Sequence, residues 1–249
     1  MDDAIEKRLS ELARRSYAQV CYCFTNFLDL QALSVWERIR PALPPVKATL
    51  FGGLEGCERK ILRLGDESVC GYDMPFPIRC IRAVPLNKKF ADPLTHRDFL
   101  GALMALGIER ELLGDIIVRD AEAYLFCVDR IAPYLTENFV QARHTSLRCE
   151  VVEAPPAGEL FRTEKRVVQL SSERVDALIA HVYRLSRSDA QALIPAEKVF
   201  VNGRQCQSAG YTPKPGEIIS VRSFGRMRYI GAESVSKKGK YNVAVEIYI

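Results

Sequence analysis

From residue 77 to residue 154 the apolar spacing alternates between strand-like and helix-like, and few folds accept the order that results. Ile78 to Val84 predicts a strand. Thr95-His96-Arg97-Asp98 has the form of a capping box, and the helix behind it puts Phe99, Leu103 and Leu106 near one side. Asp115–Val118 and Ala123–Val128 read as two strands around a polar turn at Arg119-Asp120. Ile131 to Phe139 predicts a second helix and Ser146 to Val152 a last strand. The order β-α-β-β-α-β is that of the ferredoxin-like or RRM-like plait, a split βαβ sandwich. That plait hosts many functions, so it decides none. Tyr124 and Phe126 alternate onto one face of their strand. They are set either to stack on RNA bases, as a secondary contact, or to pack under a helix or a neighbouring domain.

Pro/Gly-rich stretches bracket this segment. Met74-Pro75-Phe76-Pro77 precedes it, and Pro155-Pro156-Ala157-Gly158 follows it as part of a linker. The expected fold class is α+β in three small domains. Residues 1–74 form an N-terminal α+β domain, 75–154 the plait, 155–165 the linker, and 166–249 a C-terminal domain that ends in a hairpin. In the first of these, Ile5, Leu9, Leu12 and Ala13 share a helix face, a second helix runs from Leu30 to Arg38, and Lys47 to Phe51 reads as a short strand.

The chain lacks a run of about 18 apolar residues, so no membrane partner is expected, and its acidic start does not resemble a signal peptide. Eight Cys occur without a C-x-x-C pair, and no His stands at ligand spacing from a Cys. Reduced thiols in a cytoplasmic protein without a metal follow from this. No phosphate-loop, dinucleotide or nucleophile-elbow motif is present, so neither a cofactor nor catalysis is expected.

Charge is unevenly placed. Residues 160–249 carry 15 Lys and Arg against 8 Asp and Glu, whereas residues 1–159 carry 20 against 23. A basic tail on a mildly acidic body points to a polyanion partner. Within the tail, Val175, Leu178, Ile179 and Val182 recur at helical spacing, and Ser186-Arg187-Ser188-Asp189 caps a second short helix that Pro195 ends. Val199-Phe200-Val201 runs into Asn202-Gly203, a strong hairpin signal, and Ile218–Val221 follows the turn at Pro215-Gly216 as a strand. Arg226–Ile230 and Tyr241–Ile249 read as the last two strands. Arg174 and Arg187 lie at two helix starts, where free backbone N–H groups and a positive dipole end would join them in holding phosphate. Lys198, Arg204 and Lys214 extend that edge, and Arg226 and Arg228 cluster after it. Asp176 either holds Arg174 by a charge-assisted bond or favours the helix start.

Four ordered segments of the tail resemble the ribosomal-protein-S-four-type (alpha-L) RNA-binding domain: Arg174-Val175-Asp176, Ser186-Arg187-Ser188-Asp189-Ala190, Val199-Phe200-Val201-Asn202-Gly203 and Gly216-Glu217-Ile218-Ile219-Ser220-Val221. One departure is that Glu197 or Lys198 stands where that family commonly has Gly. Further upstream, Phe51-Gly52-Gly53, Glu58-Arg59-Lys60, Thr95–Leu103, Gly107-Ile108, Gly114-Asp115-Ile116 and Arg143-His144-Thr145-Ser146 resemble YlmH-type proteins. The resemblance implies a bacterial, cytoplasmic, non-catalytic factor that binds rRNA and tRNA on the large ribosomal subunit, in quality control of stalled peptidyl-tRNA. Its expected RNA contacts are Arg174, Ser186, Arg187, Lys198, Asn202, Arg204, Lys214, Arg226 and Arg228. A monomer that does not bind DNA is expected. Two alternatives are an RNA-modifying enzyme, of pseudouridine synthase or methyltransferase type, and a cell-division interaction scaffold.

Overall fold

A computed structural model describes residues 2–87, 92–119, 121–156, 163–236 and 238–248, with the side chain of residue 2 left out. The chain divides into two compact units, residues 1–160 and 161–249.

The first unit begins with helix α1 (Asp2–Gln19), strand β1 (Cys23–Leu28), helix α2 (Leu30–Ile39), strands β2 (Ala48–Phe51) and β3 (Lys60–Leu64), and the short helix α3 (Glu67–Cys70). Asp29 caps α2 by accepting a hydrogen bond from Ala32 N at 2.9 Å. Pro41 follows two residues after α2 ends, as its missing N–H requires. The strands form an antiparallel sheet in the order β1-β3-β2. Leu62 and Leu64 of β3 pack under the two helices with Leu9, Val35 and Trp36.

The plait follows, and its elements come in the expected order. They are β4 (Ile78–Pro85), α4 (His96–Ala105), β5 (Leu113–Arg119), β6 (Glu122–Val128), α5 (Ala132–Asn138), the two-residue β7 (Gln141–Ala142) and β8 (Thr145–Val152). The sheet order is β5-β6-β4-β8-β7, antiparallel throughout. Asp120 of the expected β5–β6 turn lies outside the described residues. The Thr95–Asp98 cap forms: Thr95 N and Oγ1 both donate to the Asp98 carboxylate, at 2.8 and 2.7 Å. Phe99 and Leu103 of α4 and Leu135 of α5 are fully buried against Ile81, Leu125 and Leu147 of the sheet. At about 1.5–3 kcal/mol per buried side chain, this layer is the main support of the plait.

The other face of the plait sheet meets the N-terminal sheet, and the joint uses residues from three of the motifs. Asp115 lies at a register shift in β5, and its carboxylate accepts from Glu58 N at 2.6 Å and Arg59 N at 3.0 Å. The Arg59 guanidinium donates to the carbonyls of Leu113, Phe27 and Arg110, at 2.9, 3.0 and 3.2 Å. Burial, with neighbouring charges acting against it, leaves Arg59 below its ordinary pKa. Gly53 sits at φ +99°, and a Cβ there would lie 2.3 Å from the Phe126 ring. Gly114 is also pressed, with Phe27 at 2.7 Å from its would-be Cβ.

The second unit contains β9 (Thr163–Leu170), α6 (Val175–Tyr183), α7 (Arg187–Ala192), β10 (Val199–Val201), β11 (Arg204–Gln205), β12 (Ile218–Val221), β13 (Gly225–Val235) and β14 (Tyr241–Tyr248). One antiparallel sheet runs β11-β10-β12-β13-β14-β9. Strand β9 differs from the linker read across 155–165, because Thr163, Glu164 and Lys165 already pair with β14. Residues 157–162 of that linker, and Ile249 of the last expected strand, lie outside the described residues. Leu178, Ile179 and Val182 of α6 bury their stripe against Val199, Ile219, Met227 and Val245 of the sheet.

Candidate nucleic-acid interface

Asp176 organises the paired helices of the second unit. Its side chain is fully buried, yet it lies in the first turn of α6. Arg174 Nε and Nη2 donate to its two oxygens at 3.1 and 3.0 Å, a bidentate fork. Gln191 Nε2 of α7 donates at 2.8 Å, and Ala177 N at 2.9 Å. Arg187 Nε, at the first residue of α7, stands 3.7 Å from the same carboxylate. Burial works to raise the Asp176 pKa. The hydrogen bonds from Gln191 and Arg174, with the Arg174 charge, outweigh it and hold the carboxylate below its ordinary value. Of the two roles expected for Asp176, the structure shows the first, with α7 added: one buried charge positions two arginines from different elements.

The guanidinium groups remain accessible, with Arg174 38% and Arg187 55% exposed at the side chain. Among the described residues Arg187 makes only the longer contact, so its fork is available to a phosphate. Ser186 is committed to the cap of α7: its Oγ accepts from Asp189 N at 3.1 Å and donates to Asp189 Oδ2 at 2.6 Å.

The start of α6 itself corrects an expectation. The first N–H groups of α6 are not free. Val175 N donates to Tyr211 O at 2.8 Å, and Asp176 N to Ala209 O at 3.4 Å. The loop that follows β11 therefore occupies the donors an incoming phosphate would need. Anion capture here falls to side-chain forks.

The other expected contacts separate. Lys198 precedes β10, Arg204 opens β11 and Lys214 lies in the turn before β12, all exposed. Asn202, at φ +50° in the hairpin turn, uses its side chain internally. It accepts from Ile218 N at 2.9 Å and donates to Glu217 at 3.3 Å, so it ties the hairpin to β12. Arg226 and Arg228 alternate with Met227 and Tyr229, which face the core, and so point away from the helices. Arg226 lies 4.0 Å over the Tyr248 ring, and Arg228 pairs with Glu246 at 3.1 Å and Tyr248 Oη at 2.9 Å. The structure thus gathers Arg174, Ser186 and Arg187 on the helix side and places Arg226 and Arg228 on the opposite face of the sheet.

Tyr124 and Phe126 are not on an open face. Phe126 is 2% exposed beneath Gly53, and Tyr124 is 7% exposed with its hydroxyl donating to Glu122 at 3.3 Å. Of the two alternatives for this pair, packing under a neighbouring layer is the one observed. Glu197 lies at φ +56°, a left-handed conformation that explains why the resembling family favours Gly in this turn.

Two side chains that line a cleft with Arg187, an imidazole and a guanidinium, were not among the expected contacts. His181 sits in the last turn of α6, and Arg184 caps its C-terminus at φ +55°. The signal was present, since Arg184 follows the last residue of the periodic stripe by two.

Comparison with known proteins agrees with this geometry. Residues 76–155 match the family described as "Putative RNA-binding domain in YlmH", and residues 173–219 match the S4 domain. The "Ribosome-associated protein quality control protein P2" of Bacillus subtilis is 29% identical over 229 residues, covering 89% of this chain and 86% of that protein. The chain carries the YlmH-type RNA-binding domain and an S4 domain, in that order. The YlmH domain match includes Gly114 and Asp115 of the joint, and the S4 match spans Asp176 and both of its arginines. The "Small ribosomal subunit protein uS4" of Magnetococcus marinus is 36% identical over 76 residues, 28% of this chain and 35% of that one. A solved structure titled "Cell division protein ylmH from Streptococcus pneumoniae" aligns at TM-score 0.49 and 18% identity, over 61% of this chain and 90% of that one.

Proposed function

We propose that this protein is a non-catalytic, ribosome-associated RNA-binding factor whose S4 domain grips structured RNA through Arg174 and Arg187. The observation that carries the reading is the buried Asp176 carboxylate, which fixes one arginine and steers the second from a separate helix. Such pre-positioning lowers the entropy lost when the guanidinium groups meet phosphate. Lys198, Arg204 and Lys214 add sequence-independent attraction on the exposed rim. Because the plait's aromatic pair is covered, its part in RNA contact runs through surfaces other than Tyr124 and Phe126.

The finer reading is binding to rRNA and tRNA on the large ribosomal subunit, in quality control of stalled peptidyl-tRNA, by a cytoplasmic monomer. It is supported by the S4 match together with the name of the Bacillus subtilis relative. Among the described residues no helix is long and apolar enough to cross a membrane, and no group of His, Cys, Asp and Glu is placed to hold a metal. The division into an N-terminal domain to residue 74, a plait to 154 and an RNA-binding domain that includes strand β9 belongs to the same reading. Co-sedimentation with purified ribosomal subunits tests it. The parent chain pellets with the large subunit, and the Arg174→Ala, Arg187→Ala double variant stays in the supernatant. Equal pelleting of the two would remove these arginines from the interface.

A further inference from the structure

The outer face of α6 borders a cleft of about 370 Å³ lined by Ser171, Ala177, Ala180, His181, Arg184, Leu185 and Arg187. Its size lies within the range of small-ligand sites. Its chemistry is one-sided. Two guanidinium groups, an imidazole and a hydroxyl line it, and no carboxylate does among the described residues. The Arg184 guanidinium has no hydrogen-bond or ion-pair partner among the described residues. The acid beside Arg187 is Asp176, at 3.7 Å, and its charge is already engaged by Arg174 and Gln191. A lining of donors without acids selects an anion. The cleft is larger than a bare phosphate needs, and Ala177, Ala180 and Leu185 give it an apolar side. Arg184 holds a left-handed backbone (φ +55°, ψ +44°) where Gly or Asn is usual. An arginine kept at that cost is consistent with a use for its side chain.

We propose that this cleft takes one nucleotide of the bound RNA, its phosphate on Arg184 and Arg187 and its sugar and base along Ala177, Ala180 and Leu185. The proposal rests on the RNA-binding reading above and names a subsite within it. The stacked helices would then hold RNA at two adjoining points, the Arg174 fork and this cleft.

The test uses the full chain and the variant Arg184→Gly, which removes the guanidinium while supplying the residue best suited to φ +55°. Folding is thereby preserved, and an unchanged or raised thermal midpoint confirms it. Two measurements follow. In an NMR titration with adenosine 5′-monophosphate, the signals of His181 and Arg184 shift in the parent. Adenosine alone moves neither, and inorganic phosphate moves them more weakly. With a labelled RNA hairpin, Arg184→Gly binds about tenfold more weakly. Its plot of log affinity against log salt is flatter by about 0.7–0.9, one phosphate contact. A parent that binds the hairpin no better than Arg184→Gly overturns the cleft and leaves the RNA reading standing. So does a monophosphate that perturbs residues elsewhere. A parent that binds neither hairpin nor ribosomal subunits overturns the RNA reading, and the cleft with it.

Discussion

Asp176→Asn exchanges one carboxylate oxygen for an amide group in the middle of the helix pair. Four donors converge on the native carboxylate: Arg174 Nε and Ala177 N on Oδ1, and Arg174 Nη2 and Gln191 Nε2 on Oδ2. Asparagine offers one acceptor oxygen and brings two donors of its own. If its oxygen keeps the Oδ1 partners, its amide faces the other two, donor against donor. Hydrogen bonds to charged groups contribute about 1.5–3 kcal/mol each, and two are lost. Arg174 is 38% exposed and recovers part of that by solvation, so the net cost is about 2–3 kcal/mol. For a unit of this size that lowers the midpoint by about 10 °C or more. Circular dichroism of the full chain follows the loss. Trp36, the single tryptophan, sits in the first unit and serves as an internal control by fluorescence. RNA affinity falls together with stability, because both arginines lose their anchor. A stability change below about 0.5 kcal/mol with unchanged RNA affinity would refute the view of Asp176 as the organiser.

Acid should remove the same support. The Asp176 pKa is lowered in the folded state, so its contribution is complete above the ordinary value of 3.8 and fades as pH falls through the folded value. Denaturation of parent and Asp176→Asn at stepped pH should show their difference shrinking below about pH 4. Glu197→Gly relieves a left-handed residue at φ +56° and should raise stability by about 1 kcal/mol in urea melts. Gly53→Ala drives a Cβ to 2.3 Å from the Phe126 ring at φ +99°, and should cost the first unit about 2–4 kcal/mol. The Trp36 fluorescence transition reads that loss, and RNA affinity should stay the same.

The plait was legible because its apolar residues keep their periods. Ile81, Ala83, Leu125 and Cys127 face one core, and the Thr95–Asp98 cap announces the helix that covers them. Strand β1 was not legible. Its inward position at Thr25 is polar, and the Thr25 hydroxyl accepts the Leu62 N–H at a register shift, so the alternation is broken where the strand bulges. Strand β9 was hidden for a different reason. Thr163 to Lys165 follow a Pro/Gly stretch and are polar, and only pairing with β14 makes them a strand. At the candidate site, Arg174, Ser186 and Arg187 were readable from capping and motif order. The closure of the α6 start by Tyr211 and Ala209 was not, because it depends on a loop more than 30 residues away in the chain. Tyr124 and Phe126 alternate as surface aromatics would, and sequence cannot show that Gly53 covers one of them.

The central claim is that Arg174 and Arg187 capture phosphate through side-chain forks. It is tested most directly by the salt dependence of RNA-hairpin affinity for the parent and the Arg174→Ala, Arg187→Ala variant. Each lost phosphate contact flattens the slope of log affinity against log salt by about 0.7–0.9. The variant should therefore bind more weakly, with a slope flatter by about two contacts. Parallel plots of equal affinity would contradict the account.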